Sequence, residues 1–172
     1  MAKELLEDAF VDTTDHVQRA RATGDGERAG RRAAMAVLAD AKVDEIERGL
    51  QSMLDPLDYV ELRVPETGLV MLRGRIGGDG APFNIGEATV TRAAVRIPSG
   101  EVGFGYVLGR DQNKARLSAL CDALWQNADY RDALERDVLA PIRMRAAAER
   151  AHQRGQTAAT RVDFFTLVRG ED

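Results

Sequence analysis

The chain has one cysteine, Cys121, and two histidines, His16 and His152, among its 172 residues. A lone cysteine excludes an intrachain disulfide and a cysteine-ligated metal site. Neither histidine belongs to a set of ligands at metal-binding spacing, which argues against a metal centre and against a histidine-based triad. Aromatic residues make up only 5% of the chain, so the core must be built mainly from Val, Leu, Ile, Ala and Met. There is no apolar run of roughly 18 residues, and the opening "MAKELLEDAF" is acidic where a signal peptide is basic. A cytoplasmic protein is expected, with no membrane partner. Positive charge is in deficit too. The formal net charge is −4, and phosphate-backbone affinity rests on Lys and Arg, so no nucleic-acid partner is expected.

What is present is the make-up of an ordinary globular chain, 44% hydrophobic and 30% charged. The length suits one domain, which we place at residues 31–172, preceded by an arm and linker at 1–30. "GRRAAMAVLADAKVDEIERGL" predicts two helices, with Ala34, Val37 and Leu38 on one face of the first and Val43, Ile46 and Leu50 on one face of the second. Asp55-Pro56 should end that section. The middle is β in pattern. "LDYVELRV" and "ETGLVMLRGRI" read as two strands joined by a turn at Glu66-Thr67-Gly68, and "GGDGAP" reads as a loop. "FNIGEATVTRAAVRI" and "VGFGYVLG" follow as a third and a fourth strand.

Asp111 then stands where an N-cap would, ahead of a helix that aligns Leu117, Leu120, Cys121 and Leu124. Asp129 is a candidate cap for a further helix through Tyr130, Leu134 and Val138, interrupted at Pro141. "IRMRAAAERAHQR" resumes helical character with a solvated basic face. The closing "TRVDFFTLVRG" is β-like, and its large apolar residues on both sides suit either an internal strand or one turned toward a partner. The expected fold class is α+β: a mostly antiparallel sheet of four or five strands flanked by helices, with N-terminal helices and a C-terminal strand.

The pair of strands at 89–109 poses the sharpest question, because one carries Arg92 and Arg96 and the other Gly103 and Gly105. A four-residue loop from Pro98 to Glu101 would set Ile97, Val95, Ala93 and Thr91 against Val102, Phe104, Tyr106 and Leu108. The arginines would then overlook the two glycines across a shallow trough suited to an anion. A slip of one residue would move the arginines among the apolar partners instead. Gly103-x-Gly105-x-x-x-Gly109 is not a dinucleotide fingerprint, since it interrupts a strand, and "GRIGGDG" lacks the Lys-Ser/Thr ending of a phosphate loop. Cys121, among leucines, reads as a buried filler. No self-sufficient catalytic machinery is visible, which favours a subunit, scaffold or binding module. A stand-alone anion or nucleotide-binding module is the alternative.

As a set, "ETGLVMLRGRIGGDGAPFNIGEATVTRAAVR", "VLGRD", "ALCDAL" and "TRVDFFTLVRG" resemble the PhnG family, small subunits of the bacterial carbon–phosphorus lyase system, over about Gly30 to Gly170. The resemblance implies a subunit of alpha-D-ribose 1-methylphosphonate 5-triphosphate synthase, a transferase. That complex joins an alkylphosphonate to the ribose C1′ of MgATP with loss of adenine. It implies PhnH, PhnI and PhnJ as partners, with the ATP-binding proteins PhnL and PhnK as further candidates. The nucleosidase chemistry is credited to PhnI. The iron–sulfur cluster and S-adenosylmethionine belong to PhnJ, so no cofactor and no metal is expected in this chain. It offers no known catalytic residue. Arg75, Arg92, Arg96, Arg110, Asp111, Arg161, Asp163 and Arg169 sit where the family pattern has them and are the candidates for ligand or interface contacts.

Overall fold

The computed structural model describes residues 25–53, 58–75, 77 and 79–159. Helix α1 covers residues 25–40, so its first turns fall within the stretch expected as linker. Packing favours them there: a Cβ on Gly30 would stand 2.9 Å from the Trp125 ring, so only glycine lets the helix lie this close. Helix α2 is Val43–Met53. Ala34, Leu38, Ile46 and Leu50 are buried at the spacing read from the sequence. Asp55 and Pro56 lie outside the described residues.

The sheet is antiparallel in the order β1-β2-β3, with β1 at Val60–Gly74, β2 at Phe83–Arg96 and β3 at Val102–Leu108. Among the described residues three strands stand where four were expected ahead of the C-terminal one, because the proposed turn at Glu66-Thr67-Gly68 is part of one continuous strand. Those residues pair with Arg92, Thr91 and Val90 in turn. Cross-strand contacts hold them extended: Thr67 Oγ1 lies 3.1 Å from Thr91 Oγ1, and Arg92 donates to Glu66 at 3.1 Å. The irregularity that the sequence hinted at is real but lies just before, where β1 shifts register between Glu61 and Glu66. Pro65, which has no N–H to give a ladder, sits in that shift. The expected C-terminal strand lies outside the described residues.

The β2–β3 connection corrects the predicted register by one. Ile97 N–H bonds Glu101 O at 3.1 Å, and Gly100 N–H bonds Ile97 O at 2.9 Å. The loop is therefore three residues, Pro98-Ser99-Gly100, with Gly100 at φ 107°. A turn followed by one left-handed residue is a standard three-residue hairpin. Losing one loop residue sets Val95 opposite Gly103, Ala93 opposite Gly105, Ala94 opposite Phe104 and Arg92 opposite Tyr106.

Helix α3, Gln112–Gln126, lies on the glycine side. A Cβ on Gly103 would come within 1.9 Å of Ala119 O, and one on Gly105 within 1.9 Å of Ala115 O. The two glycines exist to admit this helix against β3, and the small Ala115, Ala119 and Ala123 complete the fit. Asp111 caps α3 as expected, accepting from Lys114 N–H at 2.8 Å. Helix α4, Ala128–Leu134, is capped by Asn127 rather than Asp129, the Asn127 side chain accepting from Asp129 N–H at 2.8 Å.

The chain does not break at Pro141. It passes through a π-helical turn, Glu135–Leu139, directly into α5, Ala140–Ala159. Pro141 has no N–H for the carbonyl of Asp137, and the wider turn accommodates that loss. Val95, Leu38, Ile46, Leu124, Leu134, Val138, Leu139 and Ile142 form the centre of the core, between the helices and one face of β2 and β3. No described helix is long and apolar enough to cross a membrane.

Candidate interaction surface

Side chains alternate across a strand, so filling one face of β2–β3 with helices decides what the other presents. Thr91, Ala93, Val95, Gly103, Gly105 and Val107 turn inward and are buried. Arg92, Ala94 and Arg96 turn outward, together with Phe104, Tyr106 and Leu108, which are 58%, 57% and 78% exposed. Across β1 the same face gains Val60 opposite Arg96, Arg63 opposite Ala94, and Glu66 opposite Arg92. The outcome is an apolar sheet face studded with three guanidiniums and one carboxylate.

The candidate residues do not converge on one point. Arg92 and Arg96 share the outer face, about 13 Å apart along the strand. Arg92 is held by Glu66 at 3.1 Å, while its Nε is buried without a hydrogen-bond partner among the described residues. Arg96 is exposed at the strand end and has no charged partner among them. The anion trough expected beneath these arginines is absent, because α3 occupies the space over Gly103 and Gly105. Arg75 stands beyond the end of β1, and Arg110 just before α3; both are exposed. Asp111 is engaged as the α3 cap. Arg161, Asp163 and Arg169 lie outside the described residues.

Sequence reasoning passed over Asp122, which is 2% exposed. Arg31 of α1 donates to both its oxygens, at 2.7 and 2.6 Å, and Phe104 N–H donates to Oδ2 at 2.8 Å. The carboxylate thus ties α1, α3 and the edge of β3 together. Next to it, Gln126 Nε2 donates to Val102 O at 2.8 Å. A carboxylate one position from a cysteine, on a helix face of alanines and leucines, was the available signal. Cys121 itself is fully buried, and burial pushes its thiol well above the ordinary range, as suits a core filler.

A groove of about 480 Å³ lies between α2 and the π-helical turn, lined by residues that include Glu45, Arg48, Arg136 and Asp137. Its charges are mutually satisfied: Arg48 pairs with Asp44 at 2.8 Å, Arg136 with Asp137 at 2.7 Å, and Arg145 with Glu45 at 2.9 Å. Among the described residues no three His, Cys, Asp or Glu side chains gather as metal ligands would.

A sheet face of exposed aromatic and aliphatic side chains, on which Arg92 and Arg63 share Glu66 and Arg96 has no charged partner among the described residues, suits a protein-binding subunit. The comparisons with known proteins agree in kind. The family model for "Phosphonate metabolism protein PhnG" matches residues 29–170, and the chain belongs to that family. A relative from Rhizobium meliloti (strain 1021), described as "Alpha-D-ribose 1-methylphosphonate 5-triphosphate synthase subunit PhnG", is 48% identical over 153 residues. That alignment covers 89% of this chain and 97% of the relative.

Proposed function

We propose that this chain is a cytoplasmic subunit of alpha-D-ribose 1-methylphosphonate 5-triphosphate synthase, organising partner subunits rather than supplying the reacting groups. Its partners on this reading are PhnH, PhnI and PhnJ, with PhnL and PhnK as further candidates. MgATP and an alkylphosphonate are substrates of the assembly, and the iron–sulfur chemistry stays with PhnJ. The description of the Rhizobium meliloti relative supports the activity. The observation that carries the organising role is the outer sheet face, where Phe104, Tyr106 and Leu108 are exposed beside Arg92 and Arg96. The buried counterpart of such a face on a partner would be apolar, with carboxylates or a substrate-borne anion meeting the arginines. A stand-alone anion-binding module would need the trough that α3 fills.

Co-expression with PhnH, PhnI and PhnJ, followed by affinity capture and size-exclusion chromatography, tests the assignment. Stable co-elution is expected. The double variant Arg92→Ala/Arg96→Ala should weaken assembly, or raise the ATP concentration needed for turnover, by about tenfold or more. Assembly and turnover both unchanged in that variant would remove the arginines from the interface.

A further inference from the structure

β3 accompanies β2 only beside Val90–Arg96, yet β1 and β2 stay paired out to Gly74 and Phe83. Between Leu69 and Gly74 on one strand, and Phe83 and Ala88 on the other, the sheet is therefore two strands wide. Six residues of strand make an arm of roughly 20 Å. No described helix covers it: β2 is exposed at every residue from Phe83 to Glu87, and Leu69, Met71, Leu72 and Arg73 of β1 are exposed as well.

On β1 the run from Leu69 to Leu72 is apolar on both faces, ending at Arg73, while β2 adds Asn84 and Glu87 beside Ile85. Leu69 and Met71 point to the side that carries the helices elsewhere in the sheet, and Val70 and Leu72 point to the other. Leu69 and Ile85 are each 63% exposed and Met71 53%. A ribbon of two strands is marginally stable by itself, and a surface apolar on two sides cannot be satisfied by one flat contact.

Among the described residues nothing pairs with the outer edge of β1. Thr89 and Ile97 bond toward β3, through Gly109 N–H to Thr89 O at 2.9 Å and Ile97 N–H to Glu101 O. In an antiparallel ladder a residue turns its N–H and C=O to the same side. The even residues of β2 therefore face β1, where Gly68, Val70 and Leu72 meet Val90, Ala88 and Gly86. Thr67, Leu69 and Met71 must turn their main-chain groups outward, along an edge with no proline and no charged side chain from Thr67 to Leu72. Natural edges are usually protected by such residues.

We infer that the β1–β2 arm is a strand-addition element: the edge at Thr67, Leu69 and Met71 pairs with an apolar strand of a partner subunit. The missing charge selects the occupant. A polar or charged strand would leave its side chains against Leu69 and Met71 on one face and Val70 and Leu72 on the other, whereas an apolar strand buries all four. The inference rests on the subunit reading above.

Amide hydrogen exchange on the full chain, alone and in the co-expressed assembly with PhnH, PhnI and PhnJ, tests it. Gly68 and Val70, already bonded to β2, serve as internal references. On assembly the Leu69 and Met71 amides should slow on the order of 100-fold or more, beyond any change at the references. An assembly in which Leu69 and Met71 exchange as fast as in the free chain overturns the arm while leaving the subunit reading intact. Failure of any assembly to form overturns both. Slow exchange at Leu69 and Met71 in the free chain, with a dimer's mass on size exclusion, identifies a second copy as the occupant and also overturns the inference. Leu69→Pro, which removes an outward N–H, should weaken assembly far more than Leu69→Ala, which keeps it.

Discussion

At the scale of single residues, Asp122 does the most with the least surface. It receives three hydrogen bonds from two separate elements, two from the Arg31 guanidinium and one from a strand-edge amide. Replacing one partner of a buried ionic contact leaves the others unsatisfied, which costs more than the contact is worth when intact. Asp122→Ala should therefore lower unfolding free energy by about 3 kcal/mol, measured by urea denaturation. Arg31→Ala should cost at least as much, because it leaves a carboxylate that is 2% exposed without its cation, whereas the Arg31 side chain, 36% exposed, can turn to water when Asp122 is removed. A much smaller loss in Arg31→Ala than in Asp122→Ala would show that the Phe104 N–H holds the carboxylate without the guanidinium. Asp122 was within reach of the sequence only as an oddity among apolar neighbours. Its partners are 91 and 18 positions away, and no local pattern announces such distances.

Between elements, the N-terminal helices are fastened to α5 by ionic contacts. Arg145 donates to both oxygens of Glu45, at 2.9 and 3.0 Å, and to the carbonyl of Asp40 at 2.8 Å. The hydrogen bond from Arg145 is the main reason that the Glu45 carboxyl is held below its ordinary range. A carboxyl with a lowered folded-state pKa contributes stability above its unfolded value, about 4.3, and loses it as pH falls through the folded value. The chain should therefore lose thermal stability between pH 5 and the acid limit, roughly the span over which such a carboxylate takes up its proton. Glu45→Gln should be less stable than the parent at pH 7 and should show a smaller further loss at pH 3. Parallel melting curves for the two proteins at both pH values would exclude this contact as a source of acid sensitivity.

The elements themselves were largely legible. Apolar spacing gave the helices, and the Asp111 cap fixed where α3 starts. Pro141 marked the irregularity before α5, though not that a π-helical turn would bridge it. Two strand-level errors share a physical cause. Glu66-Thr67-Gly68 has turn composition but is held extended by partners on β2, so tertiary pairing overrode propensity. The sequence predicts a four-residue hairpin loop where Gly100, at positive φ, permits three. Because strands repeat every two residues, that single step exchanged the two faces and moved the glycines from a supposed ligand trough to a helix-packing seam. The partner-facing surface was thus visible in its residues and misplaced by its register.

At the scale of the whole molecule, helices finish one face of the sheet, and among the described residues nothing covers the other. Substituting outward side chains should therefore separate folding from assembly. Phe104→Asp/Tyr106→Asp is expected to change unfolding free energy by about 0.5 kcal/mol or less per site, as for exposed positions generally. The same variant should weaken capture of partner subunits by about 100-fold, in line with the loss of central aromatic contacts. Capture unchanged, with stability intact, would send the search for the interface to the β1–β2 arm.

The contact between Gly30 and the Trp125 ring has a practical meaning for all such experiments. The chain contains one tryptophan, packed between α1 and α3 with the Arg131 guanidinium 4.5 Å from its ring centroid. Its emission is thus an optical gauge of whether the first helix is seated. Because the ring lies on the helical side, that gauge is blind to what docks on the outer sheet face. Loss of binding with an unaltered spectrum identifies a surface defect, whereas a red-shifted spectrum identifies a chain that has come apart.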